Sequence, residues 1–340
     1  MDSHLRFERI CIEVTNVCNM ECSFCPNVKL PRKREVLAYE TFEKLINNII
    51  TREITTKISF TGNGEPTLDP LLQQRLEHCH KSGLCTQLTT NGLRLKSVVK
   101  YLEFIDILFV SWQTANEETF SLRNANGWTY DLYVENILEF VKYVTTRIDS
   151  KAIIYISLMS NSHLPIRTKQ IISDFYLALT EQDDRSMVEA ASKIISVAPE
   201  KALVSLKELP NYIKNGVKKG VRQFQLMGNI FLYSYQFFNW GGLLFENRQN
   251  LCRKPKVKGD CQLFFDGPQI LANGDVAFCC IDAFGSTTFG NIQGNELNNI
   301  LKSEIYMSAF KNFKKGVINH DHCQRCLGEW RKNTLIEKWL

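Results

Sequence analysis

"CNMECSFCPN", residues 18–27, places three cysteines within eight positions, with three residues between the first pair and two between the second. Structural zinc sites use four ligands, usually in two paired knuckles, and nothing near this stretch supplies a fourth. A disulfide would leave one thiol over. Three thiolates suit a 4Fe-4S cluster that keeps one iron open for a ligand from outside the protein.

The composition is that of a folded chain. The 340 residues are 44% hydrophobic and 23% charged, which excludes disorder as the main state. The net charge of +5 is mild, and the densest basic run, "KLPRKR" at 29–34, is predicted to be a solvated loop that binds no nucleic acid.

No apolar run is long enough to span a membrane, and the N-terminus lacks the pattern of a signal peptide. We therefore expect a cytoplasmic protein. In that reducing compartment clustered thiols indicate metal binding or catalysis rather than disulfides. The isolated Cys11, Cys79 and Cys85 are predicted to be packed as small hydrophobic residues.

Strand-like and helix-like patterns alternate through the first half of the chain. Repeated βα units predict a parallel sheet with right-handed crossovers, whose strands all end on one side. Functional loops are expected at those strand ends, and the cysteine triplet follows the first of them. The predicted strands are "FERICIEV" (7–14), "TKISFTG" (56–62), "LCTQLTT" (84–90), "DILFVSW" (106–112) and "AIIYISLM" (152–159).

The alternation stops after the fifth strand. Residues 160–220 read as consecutive helices without a strand, and "RQFQLMGNIFLY" (222–233) then resumes one strand. From about Leu251 the chain is rich in Cys, Gly and Asn. The predicted domains are a barrel of 1–159 and 221–250, a helical insertion of 160–220, and a small C-terminal domain of 251–340.

The CX3CX2C spacing after the first strand of a βα series resembles the radical S-adenosylmethionine (radical SAM) superfamily. The resemblance implies a partial (βα)6 TIM-like barrel in the α/β class. It implies that Cys18, Cys22 and Cys25 hold a 4Fe-4S cluster whose open iron binds the amino and carboxylate groups of S-adenosylmethionine (AdoMet). Phe24 would lie near the adenine.

"GNGEP" (62–66) ends the second strand and resembles the GGEP motif of the same family, with Asn63 in place of its second glycine. The resemblance assigns the AdoMet ammonium to Gly64, Glu65 and Pro66, with Glu65 as the key contact. A Gly-Pro turn that only caps the strand is the alternative.

The ends of the third and fourth predicted strands supply the other implied AdoMet contacts. "TTNG" (89–92) closes the third strand, and Gln113 stands where the family often has an acidic residue. Arg123 either pairs with the AdoMet carboxylate or is a solvent-facing helix arginine. The residues concerned are Thr90, Asn91, Ser111, Gln113 and Arg123.

A second set of cysteines lies near the C-terminus. A hairpin turning at Asn273-Gly274 would bring Cys261 and Cys279 together, and "HCQRC" adds Cys323 and Cys326. A zinc ribbon is the alternative. "GDVAFCCIDAFGSTTFGNI" resembles the SPASM/twitch extension of radical SAM enzymes, which implies that these four thiolates hold an auxiliary 4Fe-4S cluster, in the shorter, one-cluster twitch form.

Two further cysteines, Cys280 and Cys252, are each open to three interpretations: spare ligand, packed thiol, or hydrogen-atom donor to the substrate. The overall cysteine layout is similar to that of a radical SAM alcohol oxidase of the butirosin pathway.

The resemblance implies a radical SAM oxidoreductase with AdoMet and two 4Fe-4S clusters as cofactors. Reductive cleavage of AdoMet would give a 5′-deoxyadenosyl radical that takes hydrogen from a sugar-like, cyclitol-like or peptide substrate, and the auxiliary cluster would accept the next electron. A flavodoxin-type or ferredoxin-type donor would supply electrons. The alternatives are a radical epimerase that uses a cysteine donor, a peptide-crosslinking maturase, and a non-catalytic zinc or iron-sulfur scaffold.

Overall fold

The computed structural model describes residues 5–148, 150–160, 182–235 and 251–332. The strands are β1 (Ile10–Ile12), β2 (Lys57–Phe60), β3 (Cys85–Thr90), β4 (Ile107–Gln113), β5 (Ile153–Met159), β6 (Gln223–Met227), β7 (Ile230–Tyr235), β8 (Leu251–Lys254), β9 (Gln269–Ile270), β10 (Asp275–Ala277), β11 (Gly290–Asn291) and β12 (Glu329–Lys332). The helices are α1 (Tyr39–Thr51), α2 (Leu72–Lys81), α3 (Leu95–Val98), α4 (Glu117–Ser121), α5 (Tyr130–Arg147), α6 (Asp184–Ile195), α7 (Leu209–Lys218), α8 (Gln262–Asp266), α9 (Leu297–Leu301), α10 (Glu304–Lys314) and α11 (Asp321–Cys326).

The chain forms two compact units. The first unit combines Met1–Cys85 with Phe238–Leu340, and the second is Thr86–Phe237.

In the first unit, strand β1 joins the N-terminal and C-terminal parts of the chain. It pairs in parallel with β2 on one side and with β9 on the other. Strands β9, β10 and β11 continue as an antiparallel meander, and β8 pairs with β12. All three residues of β1 are buried, as expected for a strand with neighbours on both sides.

The C-terminal part of the first unit has an aromatic core. Phe264 stacks on Phe313 with 4.4 Å between ring centroids, and Phe289 stacks on Tyr306 at 4.7 Å. Offset and edge contacts of this kind stabilise a small domain beyond the apolar area that they bury. This core supports the turns that carry the C-terminal cysteines.

In the second unit, strands β3, β4, β5 and β7 pair in parallel, in that order. Every second residue of β4 is buried, and α5 buries Tyr133, Ile137 and Val141 at helical spacing. The βα pattern of the sequence is therefore confirmed for these strands.

The sequence-based prediction of one strand over 222–233 is wrong. The segment is a hairpin in which β6 runs antiparallel to β7. Gly228 turns the chain between them at a φ of +46°, a conformation that glycine adopts without steric cost. The glycine inside this strand-like run was the signal that could have revealed the hairpin.

The insertion predicted over 160–220 contains α6 and α7, and residues 161–181 lie outside the described residues. Among the helices of the described chain, none combines the length and apolarity needed to cross a membrane.

Candidate functional site

The three thiols of the first motif lie together on the loop after β1. The amide of Cys25 donates to the carbonyl of Cys22 at 2.9 Å. The pKa of the Cys25 thiol is raised to about 12, chiefly by burial and also by the neighbouring Cys22 and Cys18 thiols. Each thiolate therefore makes the next one harder to form, and a bound cation would remove that cost.

Two side chains hold this cysteine loop in shape. Asn27 Nδ2 donates to the carbonyl of Asn16 at 2.9 Å and also to the carbonyl of Asn63. Arg34 donates to the carbonyl of Asn16 at 2.8 Å and to the carbonyl of Asn27 at 2.5 Å. The loop that carries the thiols is thus tied to the "GNGEP" loop.

Most of the basic run 29–34 is exposed, as expected for a solvated loop, but Arg32 is an exception. Arg32 forms a two-pronged ion pair with Glu13, at 2.8 and 3.1 Å, and the Glu13 side chain is fully buried. Arg32 also donates to the carbonyl of Ala283 at 2.9 Å. The Glu13 carboxylate, which follows β1, holds Arg32 in place because a buried charge requires a partner.

Glu13 is the centre of this part of the first unit. Its carboxylate also accepts from the amide of Asn63 at 3.0 Å and from the amide of Ala272 at 3.2 Å. One side chain therefore contacts the cysteine loop, the "GNGEP" loop and the C-terminal hairpin. The sequence analysis missed it, because an acidic residue inside a short apolar strand was its only signal.

The glycines of "GNGEP" are required by close approach to β1 and the loop after it. A Cβ on Gly64 would lie 2.2 Å from the carbonyl oxygen of Thr15, and one on Gly62 would lie 2.6 Å from Cβ of Glu13. Asn63 is accommodated at the family's second glycine because its amide groups bond to Glu13.

Glu65 is buried, with 1% of its surface exposed. Its Oε1 accepts from the amide of Thr67 at 3.1 Å and from the Thr67 hydroxyl at 2.7 Å. Its own amide donates to the carbonyl of Val17 at 2.8 Å, on the cysteine loop. Pro66 begins the short 3-10 turn Pro66–Leu68, which Glu65 caps. Thr67 orients the predicted ammonium ligand and was not identified from the sequence.

Phe24 is also buried, with 5% of its surface exposed. It lies on the same loop as the three thiols, as predicted.

In the second unit, the structure contradicts one of the two roles open to Arg123, that of a solvent-facing helix arginine. It is buried rather than solvent-facing, and its guanidinium donates to the carbonyls of Ser111 and Trp112 at 2.8 Å each and of Asn91 at 3.1 Å. It also bonds to the hydroxyl of Tyr133 and lies over that ring. These contacts clamp the ends of β3 and β4, so a contact with the AdoMet carboxylate is not needed to explain the residue.

The clamp positions the other predicted residues of this unit. The Tyr133 hydroxyl donates to the carbonyls of Asn91 and Ser111, each at 2.7 Å. Thr90 Oγ1 and Asn91 Oδ1 accept from the turn that follows them. Gln113 has a φ of +60°, and its carbonyl accepts from Gln182. The pairing of β4 with β5 is irregular between Val110 and Gln113, the segment that contains Ser111.

The C-terminal thiols form a second cluster in the first unit. Burial raises the pKa of Cys279, and the nearby Cys280, Cys261 and Cys326 raise it further. Burial also raises the pKa of Cys323 to about 12, with Cys261 and Cys326 adding to the effect. Cys323 and Cys326 lie one turn apart on α11. The four predicted ligands are therefore close enough to influence one another electrostatically.

The hairpin between Cys261 and Cys279 is shorter than predicted. Cys261 is followed by helix α8, and only β9 and β10 form the arms. The turn itself lies where it was predicted, with Gly274 at a φ of +83°.

Cys280 pairs with Cys11 of β1. A hydrogen bond from Cys11 lowers the pKa of Cys280, and that bond raises the pKa of Cys11 well above its ordinary value. Cys11 was predicted to be an isolated packed residue, so its thiol partner is a correction. The other donor candidate, Cys252, lies in β8 opposite Arg331.

The thiol sets suit iron-sulfur clusters better than a single ion. In the part of the chain that the structure describes, no three Cys, His, Asp or Glu side chains are grouped closely enough to hold one metal ion. Zinc draws four ligand atoms to about 2.0–2.3 Å from one point, whereas a 4Fe-4S cluster distributes its thiolates over separate irons. Sets of three and of four interacting thiols fit the latter.

Comparison with known proteins agrees with this chemistry. The radical SAM superfamily model matches residues 12–160, and the SPASM model, an iron-sulfur cluster-binding domain, matches residues 261–327. The chain carries a radical SAM domain and a SPASM domain. Its cofactors are AdoMet and iron-sulfur clusters.

Two radical SAM structures resemble the fold. BtrN in complex with AdoMet and 2-DOIA is 15% identical, with a TM-score of 0.50 over 91% of this chain and 88% of that chain. SuiB of Streptococcus suis bound to S-adenosylmethionine is 16% identical, with a TM-score of 0.56 over 90% of this chain and 68% of that chain. The predicted partial TIM-like barrel with a small C-terminal iron-sulfur domain is confirmed.

Among curated proteins, the 7,8-dihydro-6-hydroxymethylpterin dimethyltransferase of Methanocaldococcus jannaschii is 35% identical over 91 residues, which are 26% of this chain and 18% of that protein. The tungsten-containing aldehyde ferredoxin oxidoreductase cofactor-modifying protein of Pyrococcus furiosus is 27% identical over 84 residues, which are 25% of this chain and 24% of that protein. Each match thus covers only a segment of the curated relative.

Proposed function

We propose that this chain is a radical SAM oxidoreductase that removes hydrogen from a carbon of a sugar-like, cyclitol-like or peptide substrate. The observation that carries the proposal is the presence of two thiol sets, one of three and one of four, in the same compact unit. A set of three leaves one iron for AdoMet. A set of four leaves no open iron, so it suits electron transfer or structure.

The chain's own residues have distinct roles in this proposal. Cys18, Cys22 and Cys25 hold the first cluster, and Glu65, oriented by Thr67, accepts from the AdoMet ammonium. When bound, AdoMet and its cluster supply a one-electron bond cleavage that makes hydrogen abstraction from an unactivated carbon possible. The buried position of Glu65 strengthens its bond to a cation, because water does not compete there.

Cys261, Cys279, Cys323 and Cys326 hold the second, auxiliary cluster. We assign it the one-cluster twitch form, and the role of electron acceptor for the substrate. Our proposed domains remain 1–159 with 221–250, 160–220 and 251–340. We also propose a cytoplasmic location, because metal-binding thiols stay reduced in that compartment.

The proposal is tested by anaerobic reconstitution. We expect close to eight irons per chain and release of 5′-deoxyadenosine when AdoMet and dithionite are added. The Cys18→Ala/Cys22→Ala/Cys25→Ala variant should lose about half of the iron and all of the release. A colourless zinc protein, or release that survives the triple change, would contradict the proposal.

An epimerase remains the second candidate, because Cys280 is a thiol next to a predicted ligand. Its hydrogen bond with Cys11 favours a packed thiol over a donor to substrate. Turnover in deuterium oxide separates the two: an oxidoreductase gives a product two hydrogens lighter, without deuterium at carbon, and Cys280→Ser keeps activity. Deuterated product of unchanged oxidation state, lost in Cys280→Ser or Cys252→Ser, would favour the epimerase.

The substrate class is left as two proposals. SuiB has been solved with its precursor peptide SuiA, and BtrN with the small molecule 2-DOIA. Both neighbours have this fold, so peptide modification by crosslinking stays an alternative to oxidation of a small molecule.

A further inference from the structure

The segment that follows β8 wraps around the helix that carries two of the C-terminal thiols. The amide of Lys256 donates to the carbonyl of Gln324 at 3.0 Å, beside Cys323 on α11. The amide of Ile318 donates to the carbonyl of Val257 at 2.9 Å, and that of Gly259 to the carbonyl of Gly316 at 2.9 Å. Residues 254–259, 314–318 and α11 therefore form one continuous surface.

This surface is strongly basic and has an apolar centre. Val257 is 58% exposed and Val317 is 38% exposed. Six exposed basic side chains surround them, against the two exposed acidic residues Asp260 and Asp321. The basic patch consists of Lys254, Lys256, Lys258, Lys314, Lys315 and Arg325.

The patch is more basic than the chain as a whole. The whole chain has a net charge of only +5 over 340 residues. In the patch, basic residues exceed acidic ones by four within three short segments, and this excess produces a local positive field. Exposed valines inside a charged rim are the anatomy of an interface rather than of a solvated face.

We propose that the basic patch is the docking surface for a small acidic electron-carrier protein of the flavodoxin type. The inference rests on the proposed function, because an electron carrier is needed only if Cys323 and Cys326 hold a redox cluster. Each encounter would exchange one electron between carrier and cluster, and no bond would form or break. Complementary charge steers such short-lived encounters, which bury less area than stable complexes.

The test measures binding of oxidised flavodoxin to the reconstituted protein by titration calorimetry at low and at physiological salt. We expect affinity to fall by about tenfold or more as salt rises, because the charges are exposed. Lys256→Glu/Lys258→Glu/Lys315→Glu should weaken binding at least about tenfold. The matched control, Lys214→Glu/Lys218→Glu/Lys219→Glu, makes the same change of charge at exposed positions on and after α7 and should change binding less than about twofold.

Equal loss in both variants, or no binding by the unaltered protein, would overturn the docking surface. A short RNA duplex that binds more tightly than flavodoxin, and loses binding in the first variant alone, would assign the patch to nucleic acid and also overturn it. Circular dichroism and iron content establish that both variants fold. Dithionite needs no docking site, so 5′-deoxyadenosine release with dithionite tests the proposed function separately. Flavodoxin binding without this release would refute the proposed function and still support the docking surface.

Discussion

At the scale of single residues, Glu65 is the side chain to which we assign the AdoMet ammonium. In Glu65→Gln the amide oxygen can still accept from the Thr67 amide and hydroxyl, so the 3-10 turn remains capped. The change removes a charge-assisted hydrogen bond of about 1.5–3 kcal/mol. We expect AdoMet affinity, measured by calorimetry on reconstituted protein, to fall by about one to two decades. Iron content should not change, and unaltered affinity would move the AdoMet site away from "GNGEP".

Arg123 is a charged residue for which we expect a structural role, because its guanidinium donates to backbone carbonyls at the ends of β3 and β4. Its hydrogen bonds to three carbonyls involve a charged donor, and Lys cannot reproduce the planar geometry. Arg123→Lys should therefore lower the free energy of unfolding by about 1.5–3 kcal/mol in urea denaturation. AdoMet affinity should change less than about threefold, since no cofactor contact is lost. Arg185→Lys is the matched control, because that side chain is 88% exposed, and a large loss of affinity without loss of stability would restore the predicted carboxylate contact.

At the scale of elements, the cysteine loop and the "GNGEP" loop depend on each other. A methyl group at residue 64 would lie 2.2 Å from the Thr15 carbonyl oxygen, so Gly64→Ala must displace one loop. We expect the variant to lose about half of its iron, that of the three-thiol set, and to lose AdoMet binding. Gly294→Ala is the control, because a Cβ there would meet nothing within 4 Å. Iron content is measured by colorimetric assay. Full iron content in Gly64→Ala would show that the cysteine loop does not depend on the "GNGEP" loop.

The elements also indicate what a sequence can predict. The parallel strands and the positions of both cysteine sets follow from apolar runs and from ligand spacing, which are local patterns. The hairpin of β6 and β7 depends on one glycine inside a strand-like run, and the helix α8 replaces a predicted hairpin arm. The burial of Arg32 and Arg123 could not be predicted for another reason. Whether an arginine is solvated depends on acceptors that are distant in sequence, here Glu13 and three carbonyls.

At the scale of the whole first unit, the Glu13–Arg32 ion pair connects elements that are far apart in the chain. Glu13 accepts from the "GNGEP" loop and from the C-terminal hairpin, while Arg32 donates to the carbonyl that follows Asp282. The pair thus holds the three-thiol loop and the C-terminal thiol domain in one fold. Loss of one partner should affect both cysteine sets.

Arg32→Met leaves the Glu13 carboxylate buried without its cation, and this should lower the free energy of unfolding by about 3–5 kcal/mol. The double variant Glu13→Gln/Arg32→Met removes the uncompensated charge and should recover more than half of that loss, because Gln can still accept from the Asn63 amide. Lys44→Met is the control: its ion pair with Glu40 is exposed on both sides and should contribute less than about 1 kcal/mol. Urea denaturation measures the three energies, and iron content measures both thiol sets. If Arg32→Met loses iron from only one set, or is no less stable than Lys44→Met, the pair does not join the two sites. If it loses iron from both sets and the double variant regains it, the buried charge itself holds the two thiol sets in place.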